Sequence, residues 1–349
     1  MPSDAKMLTG SDHAKRLECG GLPALLDQAR LKAGARSRPR KLKRHRCGLA
    51  ALLLAAALPT AACLRAAGQA PARALPNPFF AFCMDTHDAK KRSLPEQAQL
   101  LKELGYDGAG HLWLDNVAER LQTLDAAGLK LFQMYIRVDL GPQASQPYDG
   151  RLKEVLPLLK GRPTMLAALV TGGKPSDQAL DPRAVEVLRQ IADLAQAHGV
   201  KVALYPHSGD WLERVEDALR LTRKVNRPNV GVMFNLCHWL KVDEEANLAP
   251  LLRTAKPHLL AVSINGSDRG AHIRAGKGRW IVPLDTGEFD LLGLLKTLKQ
   301  IGYTGPIGLQ CYGIAGDARE HLSRSMAAWR QFKERLAAAE PGPAGKARR

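Results

Sequence analysis

The chain is 349 residues long, 45% hydrophobic and 24% charged, the proportions of an ordinary globular protein, which exclude a disordered chain and a multi-pass membrane protein. Its net charge of +17 sits largely at the ends: residues 1–46 hold 12 Lys/Arg against 4 Asp/Glu and residues 339–349 hold 3 against 1, leaving +7 for the body. A body so nearly balanced gives no reason to expect a nucleic-acid partner.

At the front, residues 36–46 read RSRPRKLKRHR, and the apolar run 48–58, GLAALLLAAAL, leads into Pro59-Thr60-Ala61-Ala62-Cys63. Basic, then apolar, then small is the order of a secretory signal, and the run falls short of the roughly 20 residues that span a bilayer. The alanines suit a signal peptidase, Cys63 offers a site for lipid attachment, and an uncleaved anchor is the third reading. The expectation is a bacterial protein that is exported, periplasmic or lipid-anchored, and touches a membrane only through the signal or through Cys63. Residues 1–75 are set aside as signal and linker, 76–338 as the folded domain, and 339–349 as a basic, disordered tail. Of six cysteines only Cys83, Cys237 and Cys311 fall in the body. Their odd number and wide spacing predict buried small side chains rather than a disulfide framework.

From Asn77 onward, short apolar runs alternate with amphipathic stretches, the mark of βα units. Strands are predicted at Phe79–Met84, Gly108–Leu112, Lys130–Val138, Thr164–Val170, Lys201–Tyr205, Val230–Asn235, Leu259–Asn265 and Ile307–Gln310. Val185, Leu188, Ile191 and Leu194 give the helical spacing between the fourth and fifth. Glycines at 105, 128, 199 and 302 each stand between a helix and the next strand. Eight units make an α/β protein with a single (β/α)8 barrel. A doubly wound open sheet is the alternative, but no GxGxxG follows the first strand.

In such a barrel the reactive groups stand where strands end. The polar clusters there are Asp85-Thr86-His87, His111, Arg137 with Asp139, Thr171 to Lys174, Tyr205 to Asp210, Asn235 to Trp239, Ser263 to Asp268, and Gln310 to Gly313. Trp211 and Trp329 are expected in packing. The loop Arg269–Pro283, with Trp280 and three glycines, is either a candidate lid or a disordered excursion. Cys237 is a weak nucleophile candidate, because neighbours on a strand point to opposite faces.

These segments resemble the xylose isomerase-like TIM barrels, the sugar phosphate isomerase/epimerase group. GVKVALYPHSG is similar to a strand ending in Glu-Asn-His or Glu-Pro, NVGVMFNLCH to Asp-x-x-His, AVSINGSD to His-x-His-x-x-Asp, and the run PLDTGEFDLLGLLKTLKQIGYTGPIGLQ to a last strand ending in Glu. The resemblance implies a divalent cation held by Glu, Asp, His and Glu, with the two glutamates passing a sugar proton. Carried over residue by residue, those positions become Tyr205, Asn235, Asn265 and Gln310, with Ser263 as the alternative at the seventh strand. All are neutral, so the Coulomb attraction that holds a hard dication among oxygens is gone. Asn for Asp and Gln for Glu keep shape and hydrogen-bonding reach, which suits sugar hydroxyls.

The expectation is therefore a proton transfer beside the carbonyl of a carbohydrate or keto-sugar, with no metal or other cofactor at the ancestral position. His207 and His238, imidazoles near their reference pKa of about 6.5, serve as acid or base, and Lys174 or Arg137 stabilises the enediolate. Tyr205, Asn235, Asn265, Gln310, Ser263, Asp85 and His87 bind substrate. A relocated Mn, Mg or Zn site built from Asp85, His87, His207 and His238 is the metal-bearing option. A non-catalytic carbohydrate-binding barrel is the functional alternative. The resemblance's DNA-repair nuclease branch is disfavoured, since it needs many carboxylate and histidine ligands and a cytosolic chain.

Overall fold

The computed structural model describes residues 75–338. The signal with its run 48–58, Cys63 and the tail 339–349 lie outside the described residues. Eight parallel strands close a barrel in chain order: β1 (Phe79–Phe82), β2 (Gly108–His111), β3 (Lys130–Asp139), β4 (Met165–Thr171), β5 (Lys201–Leu204), β6 (Val230–Asn235), β7 (Leu259–Ile264) and β8 (Ile307–Gln310). β8 pairs with β1, Phe82 beside Gln310. Around them run α1 (Leu94–Leu104), α2 (Val117–Ala127), α3 (Leu152–Val155), α4 (Asp181–Gln196), α5 (Val215–Val225), α6 (Leu236–Val242), α7 (Leu248–Ala255), α8 (Gly270–Arg274), α9 (Leu291–Gln300) and α10 (Ala318–Ala338).

All eight expected strands are present, β6 and β8 with the expected bounds. β1 stops at Phe82, because Cys83 takes φ 55°, a left-handed conformation that ends a strand. β5 ends at Leu204 and β7 at Ile264, so Tyr205 and Asn265 stand just beyond the ladder. Local signals set the helices. Ser93 and Glu96 form a capping box at the start of α1, and Gly105 ends it at φ 85°, where a side chain would be strained.

Aliphatic side chains fill the layer between strands and helices, while the barrel interior holds Phe80, Phe82, Phe132, Tyr135, Met165 and Tyr205 among small neighbours. The rings fit because the strands on either side of β1 carry glycine: a Cβ on Gly110 would lie 2.6 Å from Phe82 Cβ, and one on Gly308 2.7 Å from the Phe80 ring. The tryptophans behave as packing residues. Trp329 stacks on Phe79 at 4.3 Å, and buried Trp211 donates from Nε1 to Asp177 O at 2.7 Å. Cys83, Cys237 and Cys311 are free and buried, as expected.

Candidate active site at the carboxyl ends of the strands

Side chains alternate along a strand. Counting up from the interior residues Ala203, Met233, Ala261 and Gly308, the next inward positions are Tyr205, Asn235, Ser263 and Gln310. They form the top layer of the barrel with Tyr135 of β3. Tyr135 Oη donates to Tyr205 Oη at 3.1 Å, and Gln310 Nε2 reaches Tyr205 Oη at 3.5 Å. Asn235 Oδ1 accepts from Ser263 Oγ and, at 3.5 Å, from Cys237 Sγ. All five polar side chains are buried. Burial pushes the Tyr135 and Tyr205 phenols well above their ordinary pKa, so both stay neutral.

Asn265 does not belong to this ring. Its Nδ2 donates to Gly266 O at 2.7 Å and to Trp280 O at 2.9 Å, tying down the β7–β8 loop. Ser263, the register partner of Asn235, takes the seventh-strand position, because the ladder ends at Ile264 and Asn265 has already left the barrel wall.

The residues present do not fit the cation that the resemblance implies. No carboxylate stands in the ring, and the amide oxygens are already engaged: Asn235 Oδ1 as above, Gln310 Oε1 by the Tyr312 N–H at 3.0 Å. A dication needs several free, preferably anionic, oxygens. The relocated set is also divided. Exposed Asp85 and His87 lie by β1, where His87 Nδ1 accepts from Gly313 N at 3.2 Å, while His207 and His238 face each other by β5 and β6. Among the described residues no three His, Cys, Asp or Glu side chains form a group able to hold a metal.

The two histidines meet at the edge of the ring, centroids 3.8 Å apart. His238 Nδ1 accepts from Ser208 N at 3.3 Å and pairs with Ser208 Oγ at 3.0 Å, which assigns the proton to Nε2 in the neutral ring. His207 Nδ1 stands 3.3 Å from Asp210 Oδ2 without hydrogen-bond geometry. Neither imidazole titrates near 6.5 as expected. Burial, with the Lys241 charge, lowers His207 to about 4; burial, His207 and Lys241 lower His238 well below the usual value. Asp210 moves the other way, to about 6, through burial against the opposing pull of Arg137, with Glu213 adding to the rise.

Lys174 is exposed on the loop after β4, and no ion pair holds it among the described residues. Arg137, also exposed, lies over the Trp113 ring at 4.8 Å. Trp280 covers His238, ring centroids 5.3 Å apart, donates from Nε1 to Cys237 O and carries Lys241 Nζ 3.3 Å from its own ring centre. The β7–β8 loop thus lies over His238, and within the loop Gly266 and Val282 form an antiparallel bridge. Cys237 and His238 lie on α6 rather than on a strand. The Cys237 thiol is inert because burial pushes it to about 12. His111 is held by Asp115 O and Arg120 Nε, a structural role. Ser208 and Asp210 entered the sequence reading only as members of a polar cluster without a role, and Tyr135 and Lys241 did not enter it; Tyr135 could have been found from the period of two along β3 through Tyr135 and Arg137.

A closed parallel barrel with a polar mouth at the carboxyl ends of its strands defines the class of (β/α)8 proteins whose sites are built on strand ends. Residues 98–332 match the family described as Xylose isomerase-like TIM barrel, and the chain belongs to that family. Inosose isomerase of Bacillus licheniformis is 24% identical over 165 residues, 46% of this chain and 58% of that protein. The chain thus matches little more than half the length of this curated relative. Among solved structures, the 3-keto-D-glucoside 4-epimerase YcjR from E. coli superposes with a TM-score of 0.58 at 16% identity, over 73% of this chain and 99% of that one. The IOLI protein with a bound zinc atom gives 0.57 at 16%, over 74% and 98%.

Proposed function

We propose that this protein moves a proton next to the carbonyl of a keto-sugar or related carbohydrate, without a divalent cation at the ancestral position, and that it does so after export. The observation that carries the reading is the pair of neutral imidazoles 3.8 Å apart beside an uncharged ring of hydrogen-bonding side chains. An isomerase of inososes and an epimerase of a keto-glucoside among its relatives support the substrate class. The basic and apolar order of residues 36–63 supports the location.

In this reading His207, with the Asp210 carboxylate 3.3 Å from its Nδ1 and able to bond to it as the imidazole gains charge, takes the proton from the carbon beside the carbonyl. His238, neutral with its proton on Nε2, donates a hydrogen bond to the carbonyl oxygen as negative charge gathers there. Lys241 supplies the nearby positive charge expected of Lys174. Asn235 Nδ2, buried without a hydrogen bond in the normal distance range among the described residues, offers an N–H to a substrate oxygen, and Gln310 with Ser263 fixes the orientation of hydroxyls. Return of the proton to the neighbouring carbon, with the hydroxyl proton passed between the two oxygens, gives isomerisation; epimerisation needs a second group to deliver a proton to the same carbon from its opposite face.

The test is solvent-deuterium incorporation into a panel of keto-sugars, followed by NMR. Incorporation that falls by a hundredfold or more in His207→Ala, the range of general base catalysis, supports the reading. Saturable sugar binding with no incorporation replaces it with the non-catalytic carbohydrate-binding barrel.

A further inference from the structure

The barrel's amino-terminal end, opposite the candidate site, holds a cavity of about 560 Å³. Lys130 opens β3 and Lys201 opens β5, while Arg162 and Lys256 stand just ahead of β4 and β7; all four line it, and no Asp or Glu does. Its walls include the interior side chains of Phe132 and Met165. Arg162 is shared with Asp125 on α2, two bonds of 2.7 Å. Lys130, Lys201 and Lys256 are exposed and have no ion-pair partner among the described residues.

Three lysines without ion-pair partners around one concavity, beside an arginine already matched by Asp125, repel one another, and a packed barrel floor does not require them. A bound multivalent anion removes the repulsion, and low-dielectric walls focus the field of the cations into the cavity. The volume lies within the range of small-molecule sites and is more than a bare phosphate fills, and Phe132 with Met165 offers apolar contact to an organic part. A concave pocket of this size admits a single head group rather than a nucleic-acid strand.

We infer that this cavity is a binding site for a phosphate or sulfate ester, distinct from the mouth at the other end of the barrel. The ester is either a soluble small molecule or the head group of an anionic lipid.

The experiment compares the full chain with Lys201→Glu/Lys256→Glu, with the milder Lys130→Gln, and with Lys102→Glu on the exposed side of α1 as a control. Each is titrated with pyrophosphate by calorimetry at low ionic strength and sedimented with phosphatidylcholine vesicles with and without phosphatidylserine. Saturable pyrophosphate binding, weakened at least tenfold in the double variant, reduced in Lys130→Gln and unchanged in Lys102→Glu, supports a soluble ester. Phosphatidylserine-dependent sedimentation with the same ranking of variants supports a lipid head group. Absence of both, or binding equal in all four proteins, overturns the inference.

Discussion

Asp210 Oδ2 stands 3.3 Å from His207 Nδ1, and the two groups are displaced toward each other on the pH scale, the carboxyl up to about 6 and the imidazole down to about 4. A carboxylic acid and an imidazole that ordinarily titrate more than two units apart have exchanged order. The pair thereby keeps an uncharged imidazole available across the neutral range, while the carboxylate forms only above about pH 6.

The pH profile follows from that order. If the base needs the Asp210 carboxylate, the rate of solvent-deuterium incorporation rises with pH through about 6 and levels above it. Asp210→Asn removes that limb, leaving a slower reaction whose acidic limb moves toward 4, where His207 itself becomes protonated. The check is the incorporation rate of both proteins from pH 4 to 8. A limb near 6 that survives in Asp210→Asn contradicts the assignment.

Trp280 holds the cover over His238 through its bond to Cys237 O and its ring contact with Lys241. Trp280→Ala admits water to His238, whose depressed pKa arises first from burial. Its imidazole should titrate closer to 6.5, visible by NMR of the ring protons. Incorporation should fall about tenfold or more while the fold persists, since the Gly266–Val282 bridge within the loop and the bonds from Asn265 Nδ2 to the backbone remain.

Acid stability has a separate source on α10. His321 is buried, neither ring nitrogen has a partner, and burial lowers it to about 4, against the opposing pull of Asp88 and Asp317 and with Arg92 adding to the fall. Between pH 6.5 and 4 the unfolded chain takes up a proton that the folded chain refuses, so stability is lost as pH falls across that window. A displacement of that size amounts to about 3 kcal/mol. His207 and His238 act in the same direction, and Asp210, with its raised pKa, against it. His321→Leu should lose less stability than the parent between pH 6.5 and 4.5 in urea unfolding. An equal loss in both proteins assigns the acid sensitivity elsewhere.

Restoring charge to the ring should restore a dependence on metal. Asn235→Asp with Gln310→Glu puts two carboxylates into buried positions without counter-charges, at a cost of several kcal/mol. The melting temperature should fall, and added manganese should recover part of the loss in the double variant while leaving the parent unchanged. A parent protein stabilised by manganese to the same degree contradicts the account.

The barrel was legible because alternation of strand and helix patterns repeats eight times and needs no long-range information. The ring was legible at Tyr205, Asn235 and Gln310, each at a strand end flagged by a motif. Asn265 was misplaced because alternation gives Ser263 and Asn265 the same face and cannot say at which residue β7 leaves the barrel wall. Asp210 was legible only as a member of the polar cluster after β5 and received no role, since its raised pKa comes first from burial, with the opposing charge of Arg137 and the like charge of Glu213, an environment that no local pattern encodes. The histidines were expected near 6.5 for the same reason: their environment is assembled by β5, α6 and a loop more than forty residues further along. The cavity at the other end was invisible for want of any motif, its four cations being scattered from residue 130 to 256.

The most direct measurement is the anomalous difference density of a crystal soaked in manganese. The account predicts no full-occupancy peak bonded to Tyr205, Asn235, Ser263 and Gln310; a strong peak at that position, with short bonds to those oxygens, contradicts it.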